Sequence, residues 1–388
     1  MKEALLNPVR LVALAFLGGQ LVARCRPTET VSLTRMAANS IFVISRFSIL
    51  GALGWRLHRN APSFEEYREQ LFAEDRLSTR FELFKTITAE SIAQQQPCDA
   101  DLHFVLLTSA ELPTEYHEKL EAVMRDIEAR SDFTCALIDV PADEKHETYT
   151  DAYLDGHFNG GPDRRFATIR LDDDDALAAS FCRRMSAHLD QGLCGYPVTF
   201  AYGYEGFVDT DGKITGVRHW NRPKVSAGLA HTNAWTSSGG YADPRKHIYI
   251  LGSLNHVDVA DALLIDSRAP AFFKCVNDFQ DSRGAGSRIN LPAVHEHEFA
   301  FDEFPWVAKD SIDLPTADEP SSDPFDPSTA TVARARQVQT VRDHKKEIKA
   351  LEKKLKVTTR KLEQAQARQS QWRRLNSLLR RLRRRLRG

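Results

Sequence analysis

The sequence is poor in the features that mark secreted and membrane-spanning proteins. It has six cysteines in 388 residues and no C-x-x-C pair. They are Cys25, Cys98, Cys135, Cys182, Cys194 and Cys275, mostly in apolar runs, so we expect free buried thiols in a reducing cytosol and no disulfide framework. The apolar stretch near the amino terminus, residues 11–23, is too short to span a bilayer. Because the ARCRP sequence around its end is a poor cleavage site, we interpret it as an interfacial or packed helix rather than a signal peptide.

Acidic residues are scarce at one end of the chain. From Arg334 to Gly388 there are 20 lysines and arginines against 4 acidic residues, whereas the remainder has 32 against 49. The overall net charge of -1 therefore hides a body of net charge -17 joined to a tail of +16. Such an asymmetry indicates that the two parts meet different partners.

The composition divides the chain into four segments. Residues 1–35 are an extension before the first convincing strand, and residues 36–310 form a globular body. Residues 311–333 are a linker that begins with four prolines and five acids and has little to bury. Residues 334–388 begin with the heptad pattern of a coiled coil and end as a basic amphipathic helix.

Strand and helix patterns alternate through the first half of the body. Strands are predicted at 41–50, 102–109, 133–140 and 166–171, and helices at about 79–95, 114–130 and 177–190. A capping box at Ser63 and Glu66 predicts one further helix start. The alternation predicts an α/β fold with a mostly parallel sheet. Beyond it, we predict a hairpin over 198–220 that turns at 209–212, and further strands at 224–235 and 247–253.

Four consecutive aspartates, Asp172 to Asp175, follow the fourth predicted strand. In such sheets, ligands bind beyond the carboxyl ends of the strands. Because side chains alternate along a strand, we expect Asp172 and Asp174 to point one way and Asp173 and Asp175 the other. Two carboxylates on one side suit Mg²⁺ or Mn²⁺, which completes its shell with water and phosphate oxygens. The stretch therefore predicts a metal-assisted nucleoside-diphosphate site, with a solvated acidic turn as the alternative.

Four motifs in succession resemble a known family. They are SRFSIL (45–50), RFELFKTITAESIAQQQ (80–96), FVLLTSAELP (104–113) and TIRLDDDDAL (168–177), and they are similar to those of the bacterial rhamnosyltransferase family. That family resembles A-type (GT-A) glycosyltransferases with a D-x-D motif. The resemblance covers about residues 40–300. It implies a GT-A-like mixed sheet flanked by helices, a nucleotide-diphosphate-sugar donor and a divalent cation, Mn²⁺ or Mg²⁺.

The resemblance also implies roles for single residues. Asp172 would be the first aspartate of D-x-D, near the ribose, with Asp173 beside it on the nucleotide sugar, and Asp174 would bind the metal. The first strand ends where such enzymes hold the nucleotide, at Arg46, Phe47 and Ser48. An arginine there can meet a diphosphate through two hydrogen bonds, although a surface cation at a strand end is the alternative for Arg46.

Other candidates complete the predicted site. A-type enzymes often add a later histidine to the metal site, and His256, which follows a predicted strand, is the candidate, with a hydrogen-bonded structural histidine as the alternative. His295 and His297 have no third zinc ligand nearby, so we expect them to be exposed. The general base for an acceptor hydroxyl is usually a carboxylate. Asp278, Asp281 and Glu205 are the candidates, and the sequence does not choose among them.

The tail predicts partners of its own. From Gln366 to Gly388 there are nine arginines and no acid, with Trp372, Leu379 and Leu386 on one helical face. Such a helix suits an anionic membrane surface. Nucleic acid and a solvated, self-associating coiled-coil end are the alternatives. We favour the membrane surface because the resemblance implies a glycan or lipid-linked acceptor, and this predicts a cytoplasmic protein held at the inner membrane face.

These observations predict a glycosyltransferase that moves a sugar, rhamnose by the family's name, from a nucleotide-diphosphate donor to a surface-glycan acceptor. Two alternatives stay open. A metal-dependent phosphohydrolase would use the same aspartates, but it normally needs further ligands spread over several strand ends. A non-enzymatic tethering protein would use the coiled coil as its working part, with an inert globular body.

Overall fold

The computed structural model describes residues 39–51, 56–192, 194–209, 212–252, 257–277 and 292–316. The predicted amino-terminal extension, most of the predicted linker and the basic tail lie outside these residues. The division of the chain into four segments therefore stays a prediction.

The described residues form twelve strands and eight α-helices. The strands are β1 (Asn39–Phe47), β2 (Ala100–Ser109), β3 (Phe133–Val140), β4 (Arg164–Asp172), β5 (Ala176–Leu177), β6 (Pro197–Thr199), β7 (Tyr202–Val208), β8 (Ile214–Asn221), β9 (Leu229–Thr236), β10 (Gly240–Tyr241), β11 (Leu264–Ile265) and β12 (Phe272–Val276). The helices are α1 (Arg56–Asn60), α2 (Phe64–Leu71), α3 (Glu74–Leu83), α4 (Glu90–Ala93), α5 (Thr114–Arg130), α6 (His146–Phe158), α7 (Phe181–Asp190) and α8 (Val257–Ala260). One π-helical turn, Phe84–Ala89, joins α3 to α4, and a 3₁₀ turn spans Ile248–Leu251.

A large mixed sheet organises the described part of the chain. Its strand order is β11-β6-β9-β4-β1-β2-β3, with β10 paired to β9. The strands β1 to β4 are parallel to their neighbours within this group, as predicted. Strand β9 runs antiparallel to both β4 and β6, so the complete sheet is mixed. Because β6 and β11 are parallel to each other, the carboxyl ends of β1, β4, β6 and β11 share one edge of the sheet.

Helices cover both faces of this sheet because β1 is apolar on both sides. Ile41 and Val43 face a core shared with α3 and α5, and Phe42 and Ile44 face a second core shared with α6. All four side chains are almost fully buried. A strand buried on both faces is typical of the centre of a parallel α/β sheet.

A second, smaller sheet has the order β5-β12-β7-β8. Its apolar face packs around Tyr204 and Phe273 against Phe299 and Phe304. Ile312 also packs there and forms an isolated bridge with Ile214. The first residues of the predicted linker therefore pack onto this sheet.

Three sequence predictions differ from the structure. Helix α6 was not predicted, because two of its four buried positions are His146 and Thr150 rather than apolar residues. Residues 247–253 were predicted as a strand, yet Ile248–Leu251 form a 3₁₀ turn whose only buried side chain is Ile248. The predicted hairpin exists as β7 and β8, but residues 197–199 before it form β6 in the main sheet.

The predicted capping of α2 is confirmed. The hydroxyl of Ser63 accepts a hydrogen bond from the backbone N–H of Glu66 at 3.1 Å and caps α2. The described cysteines are Cys98, Cys135, Cys182, Cys194 and Cys275. All are free thiols, but only Cys182 and Cys275 are buried as expected, and the other three are half-buried. Within the described ranges, no helix has the length and apolar character needed to cross a membrane.

Candidate functional site

The four aspartates form a tight turn at the end of β4. Asp172 is the last residue of β4, and the backbone N–H of Asp175 donates to the carbonyl of Asp172 at 3.1 Å. Asp173, Asp174 and Asp175 are only 2%, 6% and 0% exposed. The expected strand-like alternation of the four side chains is therefore wrong, because the chain turns instead of continuing as a strand. The alternative of a solvated acidic turn is also excluded, since three of the four residues are buried.

Asp173 is held by helix α3. Its carboxylate accepts hydrogen bonds from the Nη2 and Nε atoms of Arg80, the latter at 3.2 Å. One turn earlier on the same helix, Arg76 donates from Nη1 to the hydroxyl of Ser48 at 3.2 Å. Helix α3 thus contacts the ends of both β1 and β4, and it fixes the position of the aspartate turn relative to β1.

Asp175 is held by the second sheet. Its Oδ2 atom accepts from Nζ of Lys274 at 3.0 Å, and its Oδ1 atom accepts from the backbone N–H of Cys275 at 3.0 Å. The hydroxyl of Thr88, in the π-helical turn, donates to the carbonyl of Asp175 at 2.8 Å. The aspartate turn therefore connects the main sheet, the α3–α4 helical segment and β12.

Asp174 has the fewest partners of the three buried aspartates. Its Oδ2 atom accepts from Nδ2 of Asn277 at 3.0 Å. Within the described residues, no hydrogen bond engages its Oδ1 atom. A buried carboxylate with one uncommitted oxygen is suited to a hard cation.

Burial and nearby charges shift the pKa values of the aspartates in this turn in opposite directions. Burial is the main reason that the pKa values of Asp173 and Asp175 lie above the ordinary aspartate value, and Asp174 raises both further. Burial also disfavours the charge of Asp172, but Arg170, Lys274 and Arg46 outweigh it and lower the pKa of that carboxyl. The turn therefore carries less negative charge near neutral pH than four aspartates suggest.

Two arginines flank Asp172 on the side of β1. Arg170 donates from Nε and Nη2 to Oδ1 of Asp172 at 3.2 and 3.1 Å, and Nη2 of Arg46 lies 3.8 Å from the same oxygen. Both guanidinium groups lie over the ring of Tyr249, at 4.5 Å for Arg46 and 5.9 Å for Arg170. Two guanidinium groups share the one carboxylate of Asp172, so these three side chains together carry a net positive charge, which favours an anion.

His146 fixes the orientation of Arg46. Nη1 of Arg46 lies 3.2 Å from Nε2 of His146. Burial, and then the charges of Arg46 and Arg170, lower the pKa of His146 to about 3. The ring is therefore neutral near pH 7, so that Nε2 accepts the hydrogen bond from the guanidinium.

These side chains line a cavity of about 230 Å³ at the carboxyl edge of the main sheet. Arg46, Arg170, His146, Glu147, Tyr249 and Gly252 form most of its wall, and we call it the arginine cavity. Two guanidinium groups on one aromatic ring offer several N–H donors to an anion such as a diphosphate.

The two residues after Arg46 have different environments. The side chain of Phe47 is buried in the main core against the ring of Phe84 and does not line the arginine cavity. Ser48 has a φ of 46° and is the only non-glycine residue with positive φ among the described residues. Strained backbone of this kind often occurs where a chain meets a ligand.

The remaining predicted site residues are dispersed. His256, Asp278 and Asp281 lie outside the described residues. Glu205 is buried in the second sheet, level with Lys274 on β12 and Arg218 on β8. His297 is exposed, as expected, but His295 is half-buried, and their rings lie 5.8 Å apart.

The donor groups fit a divalent cation only in part. Among the residues that the structure describes, no three histidine, cysteine, aspartate or glutamate side chains are arranged to hold a metal ion. Mg²⁺ and Mn²⁺ need fewer protein ligands than that when phosphate and water oxygens complete their shell. Asp174, with its uncommitted Oδ1 atom, is suited to that role, and Asn277 positions it.

Sequence reasoning missed the residues that hold the turn. Arg80 and Arg170 lie within the quoted motifs, but nothing in the sequence says which carboxylate each one meets. Lys274 lies inside a short apolar run, and Asn277 follows that run. A lysine inside such a run is a signal of a buried ion pair. Tyr249 was missed because its segment was predicted as a strand.

Comparison with known proteins identifies a family. The family model described as "Putative rhamnosyl transferase" matches residues 40–288. No curated protein matches the chain.

Several solved structures are distantly similar. A structure of residues 1–349 of TarS from S. aureus has 10% identity and a TM-score of 0.31, covering 61% of this chain and 60% of that one. A longer TarS structure has 10% identity and a TM-score of 0.27, covering 62% of this chain and 37% of that one. The structure of TarS 1–349 in complex with UDP has 10% identity and a TM-score of 0.28, covering 62% of this chain and 60% of that one. This chain therefore spans less than two thirds of each of them, and likeness this distant assigns neither substrate nor mechanism.

The family match rests on the same part of the chain as the site. Residues 40–288 include β1, helix α3, the aspartate turn and Tyr249, and they make up more than half of the sequence. The chain therefore belongs to the "Putative rhamnosyl transferase" family, a family of glycosyltransferases.

Proposed function

We propose that the protein is a metal-dependent glycosyltransferase of the GT-A type that uses a nucleotide-diphosphate sugar as its donor. The observation that carries this proposal is the pairing of the aspartate turn with the arginine cavity at one edge of the sheet. A carboxylate with an uncommitted oxygen, on Asp174, lies two residues from Asp172, which contacts both arginines. Groups suited to a cation and to an anion therefore adjoin one another.

In this proposal the residues of the chain bind and orient the donor. Arg46 and Arg170 donate hydrogen bonds to diphosphate oxygens, and neutral His146 keeps the guanidinium of Arg46 in place. A bound divalent cation would neutralise the diphosphate as its bond to the sugar breaks. Asp174 would hold that cation, with His256 as a further ligand. Arg80 and Lys274 keep the neighbouring carboxylates in fixed positions, so little reorganisation is needed during the reaction.

The family match favours a transferase over the phosphohydrolase and the tethering protein. The transferred sugar is rhamnose in this proposal, and the acceptor is a surface glycan or a lipid-linked glycan. The basic tail holds the cytoplasmic protein at an anionic inner membrane face. Deprotonation of the acceptor hydroxyl falls to a carboxylate, with Glu205, Asp278 and Asp281 as the candidates.

The direct test is calorimetric titration of the full chain with a panel of nucleotide sugars that includes the dTDP- and UDP-linked forms of rhamnose. Each titration is run with Mn²⁺, with Mg²⁺ and with a chelator. We expect one donor to bind only when a cation is present. Equal binding with the chelator would remove the metal from the proposal, and binding of none of the donors would contradict the proposed function.

A further inference from the structure

A second cavity lies at the carboxyl edge of the main sheet, separate from the arginine cavity. Its volume is about 580 Å³, and its wall includes Arg222, Lys224, Asp258, Asp261, Leu263 and Ile265. Among the described residues, none lines both cavities. Of the predicted site residues that the structure describes, none belongs to the second cavity.

The sheet places this second cavity at a fixed distance from the aspartate turn. Strand β11 is separated from β4 by β9 and β6, which is three steps across the sheet. Adjacent strands are about 4.8 Å apart, so the two strand ends are about 14 Å apart. The strand pairings from β11 through β6 and β9 to β4 place the residue before Ile265 level with Ile169. Ile265 is therefore level with Arg170.

Two continuous connections join the cavities. The first is a small apolar cluster in which Ile248 and Tyr249, from the arginine cavity, pack together with Leu263 from the second cavity. The second is the chain segment 222–228. It begins in the wall of the second cavity, and the backbone N–H of Gly228 donates to the carbonyl of Arg170 at 2.9 Å.

The charges of the second cavity are balanced, unlike those of the arginine cavity. Its wall has two cations, Arg222 and Lys224, and two carboxylates, Asp258 and Asp261. Lys224 pairs with Asp258, and Asp261 pairs with Arg245. Because the wall has as many carboxylates as cations, it does not favour an anion, and its polar groups can exchange hydrogen bonds with hydroxyl groups.

The second cavity also has an apolar part of its lining, which we call its floor and which is partly exposed. Leu263 and Ile265 contribute to it, and Ile265 is 50% exposed even though it ends a strand of the main sheet. A sugar ring has an apolar C–H face and a rim of hydroxyls. An apolar floor within a polar, charge-balanced wall is complementary to such a ring.

We propose that this second cavity is an acceptor subsite that binds a neutral oligosaccharide beyond the sugar unit that receives the transferred group. The inference rests on the proposed function, because it takes the acceptor to extend from the aspartate turn along the carboxyl edge of the sheet. Ile265 and Leu263 contact the apolar faces of the sugar rings. The polar wall residues bind hydroxyl groups.

The test measures oligosaccharide binding without donor or metal, so that it is independent of the donor titration. The full chain is mixed with maltotriose, cellotriose, a rhamnose trisaccharide and sulfated maltotriose, and saturation transfer from protein to sugar is recorded by NMR. The variant is Ile265→Glu, which places a charge on the apolar floor. The control is Tyr196→Glu, which also charges an exposed hydrophobic residue, 44% exposed, but just before the amino end of β6, at the opposite edge of the sheet.

We expect saturation transfer to at least one neutral trisaccharide and none to the sulfated one. The dissociation constant should rise about tenfold in Ile265→Glu and stay unchanged in Tyr196→Glu, and donor affinity should be the same in all three proteins. An unchanged dissociation constant in Ile265→Glu, a preference for the sulfated sugar, or no transfer to any neutral sugar would overturn the subsite. Donor binding is measured in a separate titration. None of these results therefore contradicts the proposed function, which is tested by that titration alone.

Discussion

Arg80 and Asp173 form an ion pair across 93 residues of sequence, with side chains only 10% and 3% exposed. The pair fastens the aspartate turn to helix α3. A buried charge that loses its partner is strongly destabilising, whereas an exposed pair contributes little. The stability of the protein should therefore depend on this contact more than on its surface ion pairs.

Replacing Arg80→Met should lower the free energy of unfolding by about 3 kcal/mol, because Asp173 loses the guanidinium that donates to it and must stay charged or take up a proton while buried. Chemical denaturation at pH 7 measures the change. The double variant Arg80→Met with Asp173→Asn removes both charges and should recover more than half of the loss. A single variant that costs no more than an exposed pair, or a double variant without recovery, would contradict this role.

Replacing Asp174→Ala should abolish cation-dependent donor binding while leaving the melting temperature unchanged or slightly raised. Removing one of several crowded carboxylates relieves repulsion in the protein without ligand. Calorimetry with Mn²⁺ and the donor found in the panel measures the first effect, and thermal unfolding measures the second. Asp139→Ala is the control, since Asp139 is an exposed carboxylate near the end of β3 at the same edge of the sheet. Unchanged donor affinity in Asp174→Ala would sink the assignment.

The positive φ of Ser48 predicts a difference between two substitutions. Both Ser48→Ala and Ser48→Gly remove the hydroxyl that accepts from Arg76. Only glycine adopts this backbone conformation without a Cβ clash, so Ser48→Gly should be the more stable of the two by about 1 kcal/mol. Denaturant unfolding of the pair tests it. Equal stabilities would mean that the backbone at Ser48 is not strained.

Stability should also fall on acidification because of His103. Burial is the main cause that lowers its pKa to about 4 from an ordinary 6.5, and the neighbouring His157 adds to the effect. The unfolded chain therefore binds a proton below pH 6.5 that the folded protein does not accept until about pH 4. The free energy of unfolding should drop by about 3 kcal/mol between these two pH values through this one group.

Replacing His103→Phe tests this pH dependence, because phenylalanine keeps the stacking on Phe42, whose ring lies 4.6 Å from the imidazole. The slope of stability against pH between 6.5 and 4 should become shallower than in the wild type. A parallel pair of curves would show that His103 is not the group responsible.

The basic tail should bind anionic membranes. Ending the chain at Ser321 should leave a soluble body that keeps its donor affinity, since the cut lies in the proline- and acid-rich stretch and keeps Ile312, which packs on the second sheet. The full chain should sediment with anionic liposomes in a salt-sensitive manner, at roughly 1 kcal/mol per basic residue near the surface, and the shortened chain should not. Binding to duplex DNA but not to liposomes at matched salt would overturn the membrane proposal.

Local patterns predicted the elements of this fold better than the contacts among them. Strands β1 to β4 were predictable because their apolar runs are long and bounded by polar residues. The position of the aspartates at a strand end was predictable for the same reason. The tight turn was not, because its geometry depends on Arg80 and Lys274, which lie 93 and 99 residues from their partners. Helix α6 was hidden because His146 and Thr150 occupy buried positions that the pattern requires to be apolar.

The aspartate turn complicates any mutational scan that scores only activity in cells. Asp173 and Asp175 are bound to Arg80 and Lys274, whereas Asp174 is the residue that we propose binds a ligand. Substitutions at all three positions would score as equally inactive, the first two through lost folding and the third through lost binding. Only the yield of soluble protein, recorded beside activity, would separate the residues that build the turn from the one that uses it.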